Sequence, residues 1–298
     1  MIGIVSHDAG GAEIITSYVQ RNKLECAFCV EGPASEVVQR KLGPVKRMPL
    51  RELIVSCSWL LCGTSFLSEL EWTAISLARK SGKRCAVMLD HWVNYRQRFV
   101  RQGEWHWPDE LWAGDNVSAR IAEEILPEVP VKLVPNAYFE DIRESIAKFP
   151  QASSCSDKGK NILYACEPLR EDGKKLYNNE RHWGYTEEEA IIYFLKNVEC
   201  ICPKIDNITI RPHPQEDMDK YNWVKTEFDL PINCDKESLL FKQVAENHIV
   251  AGCATMAMVV GLIAKKRVVS CIPPGGSTIP LPHPQIENMN LLVQAFRK

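Results

Sequence analysis

The sequence predicts an α/β protein with two Rossmann-like halves, each built on a mostly parallel sheet. Three observations point there. Short β-branched or apolar runs alternate with helix-like segments almost throughout. A polar, Ser-rich stretch interrupts the alternation near mid-chain. Several strand candidates end abruptly in Gly, Pro or His-rich turns, where α/β sheets bind ligands. The clearest of these is Ile208-Thr-Ile-Arg-Pro-His-Pro214, a strand that stops at a proline and delivers Arg211 and His213 to its carboxyl end. Residues two apart in an extended segment leave on the same side, so the pair is expected to grip a phosphate or diphosphate together.

In the first half, strands are predicted at 2–6, 24–30, 59–62, 84–89, 110–113 and 131–134. Helices are predicted at 12–21, 35–42, 67–80, 117–126 and 139–149, with Ser35 and Asn116 as caps. The stretch 150–159 lacks apolar periodicity and is the linker candidate. Beyond it, strands are predicted at 161–166, 205–211, 232–233, 248–250 and 268–271, and helices at 187–198, 236–246 and 254–264. A Pro/Gly loop at 273–284, able to close over a ligand or merely connect, precedes a last helix at 286–297. The expected domains are therefore 1–150, 160–285 and a terminal helix 286–298. Two such halves facing one another would leave a cleft between the carboxyl ends of their sheets.

Composition bounds the function. The chain has 298 residues, 45% of them apolar and 25% charged, enough to bury a sizeable core. With 36 basic against 38 acidic side chains the net charge is −2, which argues against broad nucleic-acid binding. Twelve cysteines, many inside apolar runs, fit a reducing compartment. The Cys26-x-x-Cys29 pair lies within a strand and has no second pair at zinc spacing, so no metal is expected there. The chain opens into a strand without a basic leader, and its longest apolar helix is too short to span a bilayer. A cytoplasmic protein is expected; peripheral membrane contact and homodimer association stay open.

Five turns carry candidate chemistry. Ser6-His-Asp-Ala-Gly-Gly-Ala12 joins the first strand to the first helix. Gly10 and Gly11 would admit a ligand close to backbone, while His7 or Asp8 acts as general base. Leu89-Asp-His-Trp-Val-Asn-Tyr-Arg96 offers Asp90 and His91 as rival bases. It leads to Phe99, Trp105 and Trp107, a candidate sugar-binding wall or a loop packed on the domain body. Cys166-Glu-Pro-Leu places Glu167 at a strand end, and the following Arg-Glu-Asp-Gly173 reads as a solvated turn. Arg211 and His213 form the fourth station. The fifth is Val250-Ala-Gly-Cys-Ala-Thr-Met-Ala257, where bare amides of Gly252 to Ala254 and the Thr255 hydroxyl would cradle a phosphate. Asp217-Met-Asp219 reads as solvated surface rather than a metal site.

With those residues in order, the chain resembles nucleotide-sugar glycosyltransferases of the GT-B architecture. Arg-x-His-Pro at 211–214 is similar to the His-Pro motif of bacterial sialyltransferases, polysialyltransferases and Kdo transferases, which use CMP-activated sugars. It is also similar to that of teichoic-acid glycerophosphate polymerases. The resemblance implies that His213 and Thr255 contact donor phosphate, that Glu167 lies where base or ribose is held, and that no cofactor beyond the nucleotide-sugar donor is needed. In the sialyltransferase group an acidic-acidic-Gly motif of the first domain supplies the base. Here Glu171-Asp172-Gly173 lies after the linker, so the base is sought at Asp8, His7, Asp90 or His91. The expected activity is metal-independent transfer of a sugar to a glycan or other hydroxyl acceptor. The rivals are a nucleotide-sugar epimerase or hydrolase of the same fold and a non-catalytic nucleotide-sugar-binding subunit.

Overall fold

A computed structural model describes residues 1–66, 68–152, 159–277 and 281–298. The first residue of the helix predicted at 67–80, most of the linker at 150–159 and residues 278–280 of the Pro/Gly loop lie outside the described residues. The chain forms two compact units, Met1–Asp141 and Ile142–Lys298.

The first unit runs β1 Ile2–Ser6, α1 Ala9–Arg21, β2 Cys26–Val30, α2 Gly32–Leu42, α3 Leu50–Ser56, β3 Trp59–Cys62, α4 Leu70–Lys80 and β4 Cys85–Met88. It continues β5 Val100–Arg101, β6 Glu104–Trp105, β7 Glu110–Ala113, α5 Asn116–Ile125, β8 Val131–Leu133 and α6 Ala137–Ala147. Six strands pair in the order β2-β1-β3-β4-β7-β8, all parallel, while β5 and β6 form a separate antiparallel hairpin. Successive strand residues feed opposite faces. Ile4, Leu61 and Ala86 pack with Ile14, Ile15 and Val19 of α1, whereas Val5, Leu60 and Val87 pack with Leu53, Ile54 and Ile75 of α3 and α4. Period-two alternation between two buried faces is what a sheet covered by helices on both sides requires.

The second unit runs β9 Lys160–Ala165, α7 Leu169–Tyr177, α8 Glu187–Lys196, β10 Ile205–Arg211, α9 Val224–Glu227, β11 Ile232–Cys234, α10 Leu240–Glu246, β12 Ile249–Gly252, α11 Met256–Ile263, β13 Arg267–Ser270, β14 Ile286–Asn288 and α12 Met289–Phe296. Its parallel order is β11-β10-β9-β12-β13-β14. The sheet grows one way from β9 through β10 and β11, then restarts at β12 on the other side of β9. That is the doubly wound Rossmann order, with its switch point between β9 and β12.

Several local expectations are corrected. Residues 286–288 are not the start of the last helix: they add β14 beside β13, so this segment belongs to the second sheet. The segment Arg170–Gly173 is not a solvated turn but lies inside α7. An added Cβ on Gly173 would lie 2.5 Å from the Asn179 carbonyl oxygen, so this glycine serves packing against the next loop. Ser35 sits within α2, whose cap position is Glu31. At α5 the cap is Asp115, whose carboxylate accepts from the Ser118 amide at 2.7 Å, and Asn116 is the first helical residue. A short side chain whose oxygen can accept from a first-turn amide is what the N-cap position selects, and aspartate supplies it as well as asparagine. Among the described residues no helix is long and apolar enough to cross a membrane.

Candidate functional site

In the first unit the sheet order reverses between β1 and β3, and the residues just past both strands converge. His7 Nδ1 lies 2.7 Å from Asp8 Oδ1, and the Ser65 hydroxyl, beyond β3, donates to the same oxygen at 3.0 Å. Both His7 and Asp8 keep about a third of their side chains in solvent, 29% and 35%. Asp8 occupies the cap position of α1 but makes no capping bond with its side chain. The carboxylate is thus directed at the imidazole rather than the helix, an arrangement that fixes Nδ1 as the protonated nitrogen and leaves Nε2 the basic one. Gly32 lies against that ring: an added Cβ would meet His7 Nε2 at 2.6 Å.

Beneath this pair is a residue that sequence reading missed. Glu71 of α4 is 3% exposed, and its Oε1 accepts the His7 backbone amide at 2.7 Å. Burial pushes its carboxyl up to about 7, against the pull of that bond. An unfolded glutamate ionises near 4.3, so between those values the unfolded chain holds fewer protons and stability falls as pH rises. The stability contributed by the protonated form is complete below about pH 4.3 and is lost as pH climbs through 7. At 1.36 kcal/mol per unit this amounts to roughly 4 kcal/mol. Glu71→Gln keeps the acceptor without the charge. It is expected to raise stability at pH 8 by up to about 4 kcal/mol and to leave it unchanged at pH 4, as read by denaturant melts. Equal effects at both pH values would contradict this.

Asp90 follows β4 and is held differently. Its Oδ1 accepts from Arg98 Nη1 at 3.0 Å and from the Thr64 hydroxyl at 2.8 Å, and both charged side chains are only 11% exposed. An added Cβ on Gly10 would fall 2.6 Å from Asp90 Oδ2, and one on Gly11 would fall 3.2 Å from the Gly63 Cα. Gly10 and Gly11 therefore let the β4 and β3 loops come close to the start of α1, and Gly10 itself stays exposed. His91 packs its ring edge-on to Trp92 at 5.5 Å. The proposed aromatic wall is largely internal. Trp92 is 6% exposed and donates its indole N–H to Asp115 at 3.1 Å, Phe99 is buried, and Trp107 packs on Phe99; Trp105 is 41% exposed. The Cys26-x-x-Cys29 thiols are both pushed up by burial, Cys26 to about 11, which disfavours the reactive thiolate.

In the second unit a cavity of about 350 Å³ opens beyond the switch point. Glu167 and Pro168 enter it from the end of β9, His213 from the end of β10, and Ala254, Thr255 and Met256 from the start of α11. Asp172 of α7, Trp183, Tyr185, Ile272 and Ser277 complete its walls. Thr255 caps α11, its hydroxyl accepting from the Ala257 amide at 3.3 Å, so the positive end of that helix faces the cavity. His213 accepts a long 3.4 Å bond from the Gln215 amide at Nδ1, which leaves Nε2 as the N–H donor of the neutral ring. Glu167 Oε2 accepts the Ala254 amide at 2.8 Å, and burial pushes its carboxyl up to about 7. Burial also raises Asp172, against the pull of His213.

Two expectations about this site are corrected. Arg211 does not share the cavity with His213: its Nη1 donates to the Ser238 carbonyl and to the Gln243 side chain, each at 2.7 Å. The guanidinium thereby ties β10 to the start of α10. The turn after β12 is not a row of bare amides either, since Ala254 N–H is held by Glu167. Gly252 is required by close packing, an added Cβ lying 3.0 Å from the Ala165 carbonyl oxygen. Asp217 and Asp219 are exposed.

No protein-family model matches the chain, and no curated protein matches it. Solved structures do. The chain is similar to a putative UDP-N-acetylglucosamine 2-epimerase from Listeria monocytogenes, with TM-score 0.62, 8% identity, and coverage of 99% of this chain and 87% of that one. It is similar to the glycotransferase of kitacinnamycin, with TM-score 0.56, 8% identity, and coverage of 99% and 84%. It is also similar to an α/β-galactoside α-2,3-sialyltransferase from Photobacterium phosphoreum, with TM-score 0.51, 9% identity, and coverage of 98% of both chains. At such identities the likeness is one of fold. The fold is that of GT-B glycosyltransferases and 2-epimerases: two Rossmann-like α/β units in one chain.

Proposed function

We propose that the protein is a glycosyltransferase that takes a sugar from a nucleotide-activated donor, with the nucleotide held in the second unit. The observation that carries this reading is the cavity at the β9/β12 switch point, where the N-terminus of α11, the Thr255 hydroxyl and His213 converge. The positive end of α11 and an imidazole N–H suit the phosphate of the donor, and they meet the negative charge that grows as the glycosidic bond breaks. Trp183 and Tyr185 supply apolar faces for a base or sugar ring. Glu167 is placed for donor hydroxyls, and its carboxyl can donate as well as accept when protonated. In the first unit, Asp8 holds the ring of His7, which serves as the candidate general base through Nε2. On this reading Arg211 acts through the fold rather than on the ligand.

A second reading has an observation of its own. Glu167, Asp172 and His213 line one cavity. Two of them are carboxyls raised by burial, so acid and base chemistry on the nucleotide sugar would need no acceptor, as in an epimerase or hydrolase. Incubation with nucleotide sugars, followed by chromatography of nucleotide and sugar, separates the two. The transferase reading expects nucleotide release only when a hydroxyl acceptor is present. Free sugar or an epimer formed without acceptor would overturn it.

A further inference from the structure

The turn that carries His213 is not held by its prolines alone. Behind it lies a chain of charged groups, its two carboxylates buried, that runs to the segments carrying two different walls of the cavity. The His213 amide donates to Glu216 Oε2 at 2.8 Å. Glu216 has a fully buried side chain, and its other oxygen takes the Tyr221 hydroxyl at 2.8 Å and the Lys220 ammonium at 2.7 Å. The same ammonium reaches Glu187 Oε1 at 2.5 Å. Glu187, 4% exposed, closes the chain by accepting the Arg170 amide at 3.0 Å with Oε2. Arg170 is the second residue of α7, next to Pro168 and Leu169, both of which line the cavity. One lysine therefore links the His-Pro turn after β10 to the loop after β9.

We infer that Lys220, with Glu216 and Glu187, is a clamp that positions the two walls of the nucleotide cavity, fixing His213 against the Glu167–Leu169 loop. The inference rests on the proposal that this cavity is the nucleotide site. Three features support it. The carboxylates are buried deeper than any surface ion pair requires, and each spends its second oxygen on a backbone amide of the adjoining loop. Two buried carboxylates share one cation, so the cation is what holds both in place. Although desolvation pulls the Lys220 ammonium down, its bonds to Glu187 and Glu216 hold it above its usual range, so it stays charged. Neither Lys220, Glu187 nor Glu216 lines the cavity, so they act through His213 and α7 rather than on the ligand.

The test uses the full chain and two independent readouts on Lys220→Met: amide hydrogen exchange at His213 and Arg170, and affinity for whichever of CMP, CDP, UDP or GDP binds the unaltered protein. Both amides are expected to exchange at least tenfold faster, although they lie on different loops. Nucleotide affinity is expected to fall at least tenfold, and Lys220→Arg, which keeps the charge, is expected to recover most of it. If Lys220→Met does not fold, Lys220→Met combined with Glu187→Gln removes opposite charges together; it is expected to loosen Arg170 and weaken the nucleotide at least fivefold. Unchanged exchange at the two amides in a folded variant overturns the clamp whether or not a nucleotide binds. Faster exchange with unchanged affinity overturns its positioning role. Absence of binding by the unaltered protein overturns the nucleotide site, and the exchange result distinguishes that failure from a failure of the clamp.

Discussion

Replacing His213 with alanine is expected to weaken nucleotide binding about 10- to 100-fold while leaving the empty protein nearly as stable as before. The ring is partly exposed, and within the protein it accepts a 3.4 Å bond from the Gln215 amide. A bond of that length contributes little, so the folded state should stay within about 0.5 kcal/mol of the unaltered protein. A hydrogen bond to a charged phosphate is worth about 1.5–3 kcal/mol, which sets the size of the loss in affinity. The separation of the two effects is the informative part. If alanine instead destabilised the empty protein by several kcal/mol and spared binding, His213 would be a packing residue of the turn. Calorimetric titration beside a denaturant melt decides between them.

The largest expected effect on stability is at Asp90. Removing its carboxylate leaves the Arg98 guanidinium, 11% exposed, without its counterion. Breaking one partner of a buried pair costs about 3–5 kcal/mol, because the other charge is left in a poorly solvated place. At about 2–4 °C per kcal/mol, Asp90→Ala should lower the melting temperature by roughly 10 °C. Combining it with Arg98→Met, which removes the stranded charge and keeps the apolar stem, is expected to restore more than half of that. Asp90→Ala with an unchanged melting temperature would show that the pair does not hold the β4 loop. On this account Asp90 holds the β4 loop beside Gly10, whatever further part it plays as a candidate base with His7, Asp8 and His91.

Much of this was legible in the sequence because strand ends are local events. Each of the strands predicted from apolar runs is present, and the residues just past β1, β4, β9, β10 and β12 supplied the candidates His7, Asp90, Glu167, His213 and Thr255. What those side chains face was not legible, since it depends on the order of strands in each sheet. Ser65 reaches Asp8, and Glu167 reaches Ala254, only because β3 lies beside β1 and β12 beside β9. Arg98, Glu71, Trp183 and Glu216 carry no motif. They come from helices and loops whose place is set by packing, and a buried acid such as Glu216 looks like any surface acid when read in line. The helix α7 was missed for a related reason: its residues are mostly good helix formers, but a mid-helix glycine after Asp172 reads as a turn, and the helix is held by Glu187 at its first turn and by Gly173 against the Asn179 carbonyl. Arg211 shows the converse. Its spacing from His213 is that of a pair, but a long side chain can turn back, and Ser238 and Gln243 offer it fixed acceptors.

The central claim is that the β9/β12 switch point of the second unit holds a nucleotide, and thermal unfolding with CMP, CDP, UDP, GDP and their sugars tests it most directly. A ligand that binds only the folded protein adds about 2.7 kcal/mol at a hundred times its dissociation constant. The account predicts that one nucleotide and its sugars raise the melting temperature in proportion to the logarithm of concentration, and that His213→Ala removes most of the rise. No shift with any of them at millimolar concentration would contradict the account.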